Sequence, residues 1–570
     1  GFLAPHEHLN ASFARALPPA GSIAFFSQSG ALLTALLDMG GEMLGYRACI
    51  STGNKAQTKE NDLIKFFALD EGTRVIGFYS EDLSDAKRII ETGRSLLKRA
   101  TPKPIIALKS GKTSAGTAAS SSHTGALAGS DAAYEALFKQ AGIIRVDGIE
   151  TLTETLEVFS KNPLPTGKRV ALLTNAGGLG VMATDACVEQ GLELARLAPE
   201  TVETLRSFLP AAANSQNPVD VLGDAKADRY ERALTTLLSD KNVDMLIVII
   251  TPQAMTEALK TAEAITSARD HFPEKPIVVS LSGGTSLAEA RDFLSRHAIS
   301  VLLSPESAAR TLNQLSSVAR LRENFEETPF HFTDIDSEKA RTVIDRSRQS
   351  GRLQLLETDC IEFLSAYGFR FLSSKAVSSR EDALAAAREI GKTVALKIIS
   401  PDIIHKSDSG GVLLNVDPNQ ADSAYDTLLS TVADHAPQAK LEGALVVEMA
   451  HPGGRELILG LKREPGLGTL IMIGLGGIFV EVFKDASFRF AESLTREDAK
   501  TMLRELKSFP LIEGARGQAG LDQEALIDTL GRLARIAEDF PEIAELDINP
   551  LLAFQHGADF RMLDARIRID

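Results

Sequence analysis

The sequence predicts an α/β protein of several domains, with open, parallel sheets over residues 20–320 and an α+β region from about 350 onward. Three observations lead there. The chain has 570 residues, more than one hydrophobic core serves, so about three to four domains are expected. Short apolar, β-rich runs alternate with helical patterns over residues 20–320, as they do where strands are buried between two layers of helices. Beyond residue 350 that alternation fades, and glycine-rich turns separate the strands.

In chain order, "SIAFF" (Ser22–Phe26), "VIGFY" (Val75–Tyr79) and "PIIAL" (Pro104–Leu108) read as buried strands. "DAKRIIETGRSLLKRA" lies between two of them and reads as a helix. "KNPLPTGK" (Lys161–Lys168) carries two prolines and a glycine and reads as a linker. A second strand series follows: "RVALL" (Arg169–Leu173), "MLIVII" (Met245–Ile250) and "PIVVSL" (Pro276–Leu281). The polar stretch 322–342 reads as a longer connector, after which "TVALKI" and "GALVVEMA" are strands of a different texture. "AFFSQSGALLTALLDMG" and "ALLTNAGGLGVMATDACVEQG" each run strand, small polar loop, helix, glycine, so the first two domains are expected to share a fold class.

The bulk numbers exclude some functions. A net charge of −15, from 61 basic and 76 acidic residues, disfavours broad binding to nucleic acid or to an anionic membrane. No apolar run reaches transmembrane length, and no signal peptide is visible. Cys49, Cys187 and Cys360 are far apart and lack metal-like spacing, which fits a reducing cytoplasmic compartment. The pair His6 and His8 has no apparent third ligand, so no metal is expected there.

Two loops follow a strand and open a helix: Ser27, Gln28, Ser29 and Gly30 in "FSQSGAL", and Asn175, Ala176, Gly177 and Gly178 in "TNAGGLG". The first N–H groups of a helix have no intrahelical partner and lie at the positive end of its dipole, so they stabilise an anion, and glycine allows close approach. Each loop reads equally as a tight turn with a capping residue. His123, in "SSHTGALAGS", is either an incidental loop histidine or a phosphoryl acceptor beside these cradles, since a neutral imidazole nitrogen is nucleophilic near pH 7. Glu81, in "FYSEDL", stands at a strand end where ligands collect in open α/β sheets; it is a partner for the imidazole or a solvated loop acid.

In the last third, Lys397 sits on a strand before a glycine-containing loop, where its ammonium can reach phosphate oxygens. Glu448 and Glu456 fall on adjoining strands, Arg489 follows a glycine turn, and Asp547, Asn549 and Asp564 lie near the end. Oxygen side chains on adjacent strands suit Mg²⁺, which keeps nucleotide phosphates and water as further ligands.

Taken together, "KSGKTSAGTAASSSHTGALAGSD" (Lys109–Asp131) resembles the phosphohistidine loop of the NDP-forming acyl-CoA synthetases, which are the ADP-forming acetyl-CoA synthetases and relatives of succinyl-CoA synthetase. The resemblance covers nearly the whole chain. It implies two flavodoxin-like, succinyl-CoA synthetase-like doubly wound domains at 19–162 and 163–321, a linker at 322–350 and an α+β ATP-grasp domain at 351–570. His123 matches the phosphate-carrying histidine and Glu81 the acid that supports its ring. The two glycine loops match the paired helix N-termini that hold phosphate. His405, in "HKSD", matches a second histidine that ferries phosphate between distant sites. Lys397 is then expected at the nucleotide phosphates, Glu448 at the adenine hinge, Glu456 near the sugar, Arg489 near phosphate charge, and Asn549 and Asp564 at Mg²⁺. "SQNPVDVLGDA" also resembles the family, but Asn217 and Asp220 are given no catalytic role.

The implied reaction is acid + CoA + ATP ⇌ acyl-CoA + ADP + phosphate in a cytoplasmic homo-oligomer. "GFLAPHEHLNASFA" resembles only the tail of the family's Rossmann-like CoA-binding domain, so residues 1–18 are expected to be that tail. The alternative is the synthetase-like regulatory module of a protein lysine acetyltransferase, with the acetyltransferase domain outside this chain.

Overall fold

In the computed structural model the apolar runs form parallel strands at the centres of two sheets. The structure describes all residues but 42, 114, 117–129, 324–328, 404–405, 452, 477–484, 515–518 and 555–559. It divides into two units, one drawn largely from residues 1–325 and the other largely from 326–570.

The first unit begins with β1 (Phe2–Ala4), β2 (Leu9–Ala11), β3 (Ala20–Ser27), β4 (Tyr46–Ser51), β5 (Val75–Ser80), β6 (Ile105–Lys109) and β7 (Ile143–Val146), in the sheet order β2-β1-β4-β3-β5-β6-β7. The last five positions are parallel neighbours in the flavodoxin-like order. Its switch point, where ligands gather, lies between β3 and β5. Residues 1–18, expected as the tail of a CoA-binding domain, pack on the first sheet. β1 and β2 form a hairpin, and β1 pairs antiparallel with β4, Leu3 opposite Cys49. Leu3 is fully buried, so this segment closes the edge of the first sheet.

The second sheet contains β8 (Arg169–Thr174), β9 (Glu193–Leu194), β10 (Val219–Asp220), β11 (Met245–Ile250), β12 (Ile277–Leu281) and β13 (Ser300–Leu302). It repeats the first order with one strand split: β9 pairs with the start of β8 and β10 with its end. Asn217 fills the gap. Its Oδ1 accepts the Leu172 N–H at 2.9 Å, and its Nδ2 donates to Val170 O at 2.9 Å and Ala195 O at 3.1 Å. One carboxamide thus replaces a missing rung of the ladder, as buried backbone groups require.

The kinship of the two domains extends to their caps. Lys103 donates to Phe67 O and Ala68 O, both at 3.0 Å, at the end of the helix Glu60–Leu69. Lys275 donates to Leu238 O at 2.6 Å and Asp240 O at 2.7 Å, at the end of the helix Ala227–Ser239. Each lysine precedes a proline and the fourth strand of its series, and each supplies charge and donors to a helix C-terminus.

The second unit holds two antiparallel sheets. One is β14 (Ser374–Val377), β15 (Val394–Ile399), β16 (Val412–Val416) and β17 (Gly443–Glu448), ordered β14-β17-β15-β16. The other is β18 (Arg455–Glu464), β19 (Gly468–Leu475), β20 (Ala486–Phe490), β21 (Ile543–Ala553), β22 (Arg561–Met562) and β23 (Ala565–Ile569), ordered β20-β19-β18-β21-β22 with β23 also on β21. Glu448 and Glu456 are therefore on different sheets rather than adjoining strands. The stretch 322–350 is not all linker: Ser337–Gln349 is a helix whose Ala340, Val343 and Ile344 join the core of this unit. Its narrow apolar stripe is hidden in the sequence by six charged residues among thirteen.

Replacing Asn217 with alanine orphans the Leu172 N–H, at about 1–3 kcal/mol for a buried group, whereas the Val170 carbonyl keeps the Ala195 N–H at 2.8 Å. Native-state hydrogen exchange at Leu172 should accelerate by roughly tenfold or more. An unchanged Leu172 amide in Asn217→Ala would contradict the rung assignment.

Candidate active site

Both cradles of the first unit are built alike. In the first, Ser27 Oγ donates to Ser29 O at 2.7 Å and accepts the Ser29 N–H at 3.1 Å. In the second, Thr174 Oγ1 donates to Ala176 O at 3.1 Å and accepts the Ala176 N–H at 3.0 Å. These hydroxyls lock the turn that aims each helix N-terminus. Ser29 caps the helix Gly30–Gly40 by accepting the Leu32 N–H at 3.2 Å. The helix Gly177–Glu189 starts after Ala176 and has no side-chain cap. Gly30, Ala31, Gly177, Gly178 and Leu179 are thus the main-chain donors the two loops present to an anion.

Gln28 and Asn175 do different work from that expected of phosphate ligands. Both are buried. Gln28 Oε1 accepts the Glu81 N–H at 2.8 Å, and its Nε2 donates to Asp82 Oδ1 at 2.8 Å. Asn175 Oδ1 accepts the Thr251 N–H at 3.0 Å, and its Nδ2 donates to Thr251 O at 3.1 Å. Tyr79 pairs with Ser27 and Ile249 with Thr174 in the two ladders, so Glu81 and Thr251 occupy equivalent positions, two residues past those strand partners. Each carboxamide ties the loop after one strand to the end of its neighbour across the switch point. The two cradle helices also share one core, to which Leu33 and Leu36 of the first and Ala183, Ala186 and Cys187 of the second belong.

The acid at the first strand end is buried, 3.5 Å from the Tyr79 hydroxyl. Lys109 ends β6, upstream of His123 in the chain. Burial, then the nearby Arg145, pulls its ammonium down to about 8. His123 itself, like His405, lies outside the described residues. Asp220 stands beside the second cradle: a Cβ built on Gly177 would meet its Oδ2 at 3.0 Å. Its Oδ1 accepts the Leu222 N–H at 2.8 Å, a turn-capping role.

In the second unit a cavity of about 410 Å³ opens between the faces of the two sheets. Ala395, Val412, Leu414, Val447 and Met449 give it apolar walls suited to a flat base, with Glu448 at that end. Lys397, Lys406, Asn549, Asp564 and Arg566 line it as well. Lys397 donates to Glu357 Oε1 and to Leu563 O, both at 2.7 Å, and Lys406 pairs with Glu357 Oε2. Burial pushes the Glu357 carboxyl up, but the two ammonium groups outweigh it and hold it below its ordinary value. Asp564 moves the other way, raised by burial and then by Glu357. Asn549 N bonds to Asp564 O at 3.2 Å, so the two predicted metal ligands are ladder neighbours. A half-buried carboxylate and a carboxamide side chain on neighbouring segments are oxygen-bearing groups of the kind a hard divalent cation takes.

Glu456 and Arg489 are not brought to this cavity. Glu456 is exposed on β18. Arg489 is buried and paired with Glu505 at 2.9 and 3.0 Å, so its charge is already answered. Lys406 and Glu357 were missed in the sequence. Lys406 is adjacent to His405 in "HKSD", but Glu357 gives no local sign, because its partners are 40 and 49 residues away.

The geometry is matched by known proteins. Residues 20–159 match the family described as succinyl-CoA ligase like flavodoxin domain, 170–317 the ligase-CoA domain and 346–569 the ATP-grasp domain. The chain is 38% identical over 565 residues to an ADP-forming acetate–CoA ligase of Archaeoglobus fulgidus, covering 97% of this chain and 79% of that one. The chain belongs to the ADP-forming acyl-CoA ligase family. A 4-hydroxybutyrate–CoA ligase (ADP-forming) of Nitrosopumilus maritimus is 36% identical, over 98% of this chain and 80% of the relative. Among solved structures, the acetyl-coenzyme A synthetase 1 of Ca. Korarchaeum cryptofilum, in complex with phosphate and ADP, is similar at a TM-score of 0.54 and 35% identity. That similarity covers 57% of this chain and 70% of that one. These relatives are enzymes, in line with the ligase reading rather than the regulatory one.

For a ligase of this family the cavity makes a direct prediction. Lys397→Met and Lys406→Met should each weaken ADP binding by about 10- to 100-fold, the size of one charge-assisted hydrogen bond. Titration calorimetry checks this, and wild-type affinity in either variant removes that lysine from the phosphate site.

Proposed function

We propose that this ligase works through a phosphate carried on the His123 ring, with Glu81 accepting a hydrogen bond from the other ring nitrogen. What supports this most is the difference between two like cradles: the first has an acid at the strand end where the second has Thr251. In the forward direction the γ-phosphoryl of ATP passes first to the His405 imidazole, an N–P bond forming as the bond to the ADP oxygen breaks, and then to the His123 ring, the second N–P bond forming as the first breaks. The acid's carboxylate then attacks phosphorus and the N–P bond breaks, leaving an acyl phosphate and free imidazole. The CoA thiolate adds to the acyl carbon, and phosphate departs with the bonding pair.

The roles of the chain follow from chemistry. Main-chain amides of the two loops hold the phosphoryl oxygens, where preorganised donors act without reorganisation. Lys397 and Lys406 hold nucleotide phosphates, while Glu448 serves the base end. Mg²⁺ held by Asn549 and Asp564 would neutralise phosphate charge. His405 is proposed as the intermediate carrier, since direct transfer demands near-contact of the reacting atoms. The acid is proposed to be a small aliphatic carboxylate, as in the names of the two relatives above. The enzyme is also proposed to be a cytoplasmic homo-oligomer; among the described residues no helix is long and apolar enough to cross a membrane.

A panel of carboxylic acids, scored by ADP release with CoA, tests the substrate class. His123→Ala should abolish turnover with the fold intact, and Glu81→Gln should slow phosphoenzyme formation by about 10²-fold. Rapid-quench labelling that is normal in either variant defeats the corresponding assignment.

His405→Ala should block labelling of His123 from ATP while sparing labelling from acyl phosphate. Equal ATP-driven labelling in wild type and variant would refute the carrier.

A further inference from the structure

Lys55 has a backbone that its side chain must justify. It lies in the loop between β4 and the helix Glu60–Leu69 with φ of 56°, in the left-handed region where a non-glycine residue is strained by roughly 1–2 kcal/mol. Its side chain turns inward and is 7% exposed. The ammonium contacts Glu60 Oε1 at 2.7 Å, Asp82 O at 2.7 Å and Asp82 Oδ1 at 2.9 Å. Glu60 in turn accepts from Ser80 Oγ at 2.8 Å. Asp82 also receives Gln28 Nε2 at 2.8 Å, while Gln28 Oε1 takes the Glu81 N–H at 2.8 Å.

The segment Ser80–Glu81–Asp82 is therefore held at each residue, and Lys55 is the cation that joins its holders. Burial pushes the Asp82 carboxyl up, but Lys55 outweighs it and keeps it below its ordinary value. The second domain supplies the contrast. There the Thr251 segment is held by the carboxamides of Asn175 and Gln253, and among the described residues no ion pair joins them. The charged cluster accompanies the acid.

We propose that Lys55 is a positioning residue for phosphoryl transfer: anchored on Glu60, it fixes the Ser80–Asp82 turn and thereby the direction of the Glu81 carboxylate. This rests on the proposed role of Glu81. A small misplacement of a catalytic group costs on the order of 10²-fold in rate, so a cation two bonds removed can matter without touching substrate.

The test is single-turnover phosphoenzyme formation by the full chain with γ-labelled ATP, in Lys55→Met, Lys55→Arg and Asp82→Asn, each also combined with Glu81→Gln. Asp82→Asn keeps the side-chain acceptor but removes its charge, and it stands in should Lys55→Met fold poorly. Lys55→Met and Asp82→Asn should slow labelling by about tenfold or more, with ADP affinity unchanged and partial rescue in Lys55→Arg. Neither should slow the Glu81→Gln enzyme further, because Lys55 acts through Glu81. Wild-type labelling in folded Lys55→Met and Asp82→Asn overturns the proposal, as does a full additional loss in the Glu81→Gln background. A normal rate in Glu81→Gln alone defeats the role of Glu81 first, and the proposal with it.

Discussion

At the acyl end the structure depends on how a chain leaves the carboxyl end of a parallel strand and enters a helix. The turn must satisfy its own backbone, keep the first helical N–H groups unspent, and stay registered to the next strand. A hydroxyl and a carboxamide do this in both domains. Ser27 and Thr174 close the turn on itself, and Gln28 and Asn175 bond across the switch point to the neighbouring strand end. Those side chains take up the local demands of the turns that open the helices at Gly30 and Gly177, and under the proposed function the first helical N–H groups serve the phosphoryl oxygens. The cradle is a by-product of where the other hydrogen bonds go.

The nucleotide end faces a different problem, the concentration of charge in a half-buried space. Lys397 and Lys406 both rest on Glu357. The two ammonium groups hold the buried carboxylate below its ordinary value, and it in turn spaces them across the cavity wall. Asp564 lies beside this group, and burial and then Glu357 raise its carboxyl above its ordinary value. Acid and base are thus poised against each other around a cavity whose remaining walls are aliphatic.

Comparison of the repeats separates scaffold from chemistry. Capping lysines, turn hydroxyls and cross-strand carboxamides recur in both domains and are what the fold requires. Glu81, with the Lys55–Glu60–Asp82 cluster behind it, stands in the first domain where the second has Thr251 and neutral partners. Asn217 illustrates the reverse case: within a motif shared with the family, its carboxamide serves as a rung of the sheet.

The sequence by itself determined the strand series, the doubly wound halves and the two glycine loops, because parallel strands buried on both faces are continuous apolar runs and helix starts carry local signals. It also placed Lys397, Glu448, Asn549 and Asp564 in an order that the structure collects around one cavity. Only the tertiary structure decided what those residues touch. Gln28 and Asn175 are spent on strand ends and Arg489 on Glu505. Glu357 and Lys55 act through partners that no local window contains. The helix Ser337–Gln349 escaped because a highly charged element shows its apolar face only against the core it joins. Periodicity is a local property of a chain, whereas ion pairing and sheet register are settled by packing between segments far apart in sequence.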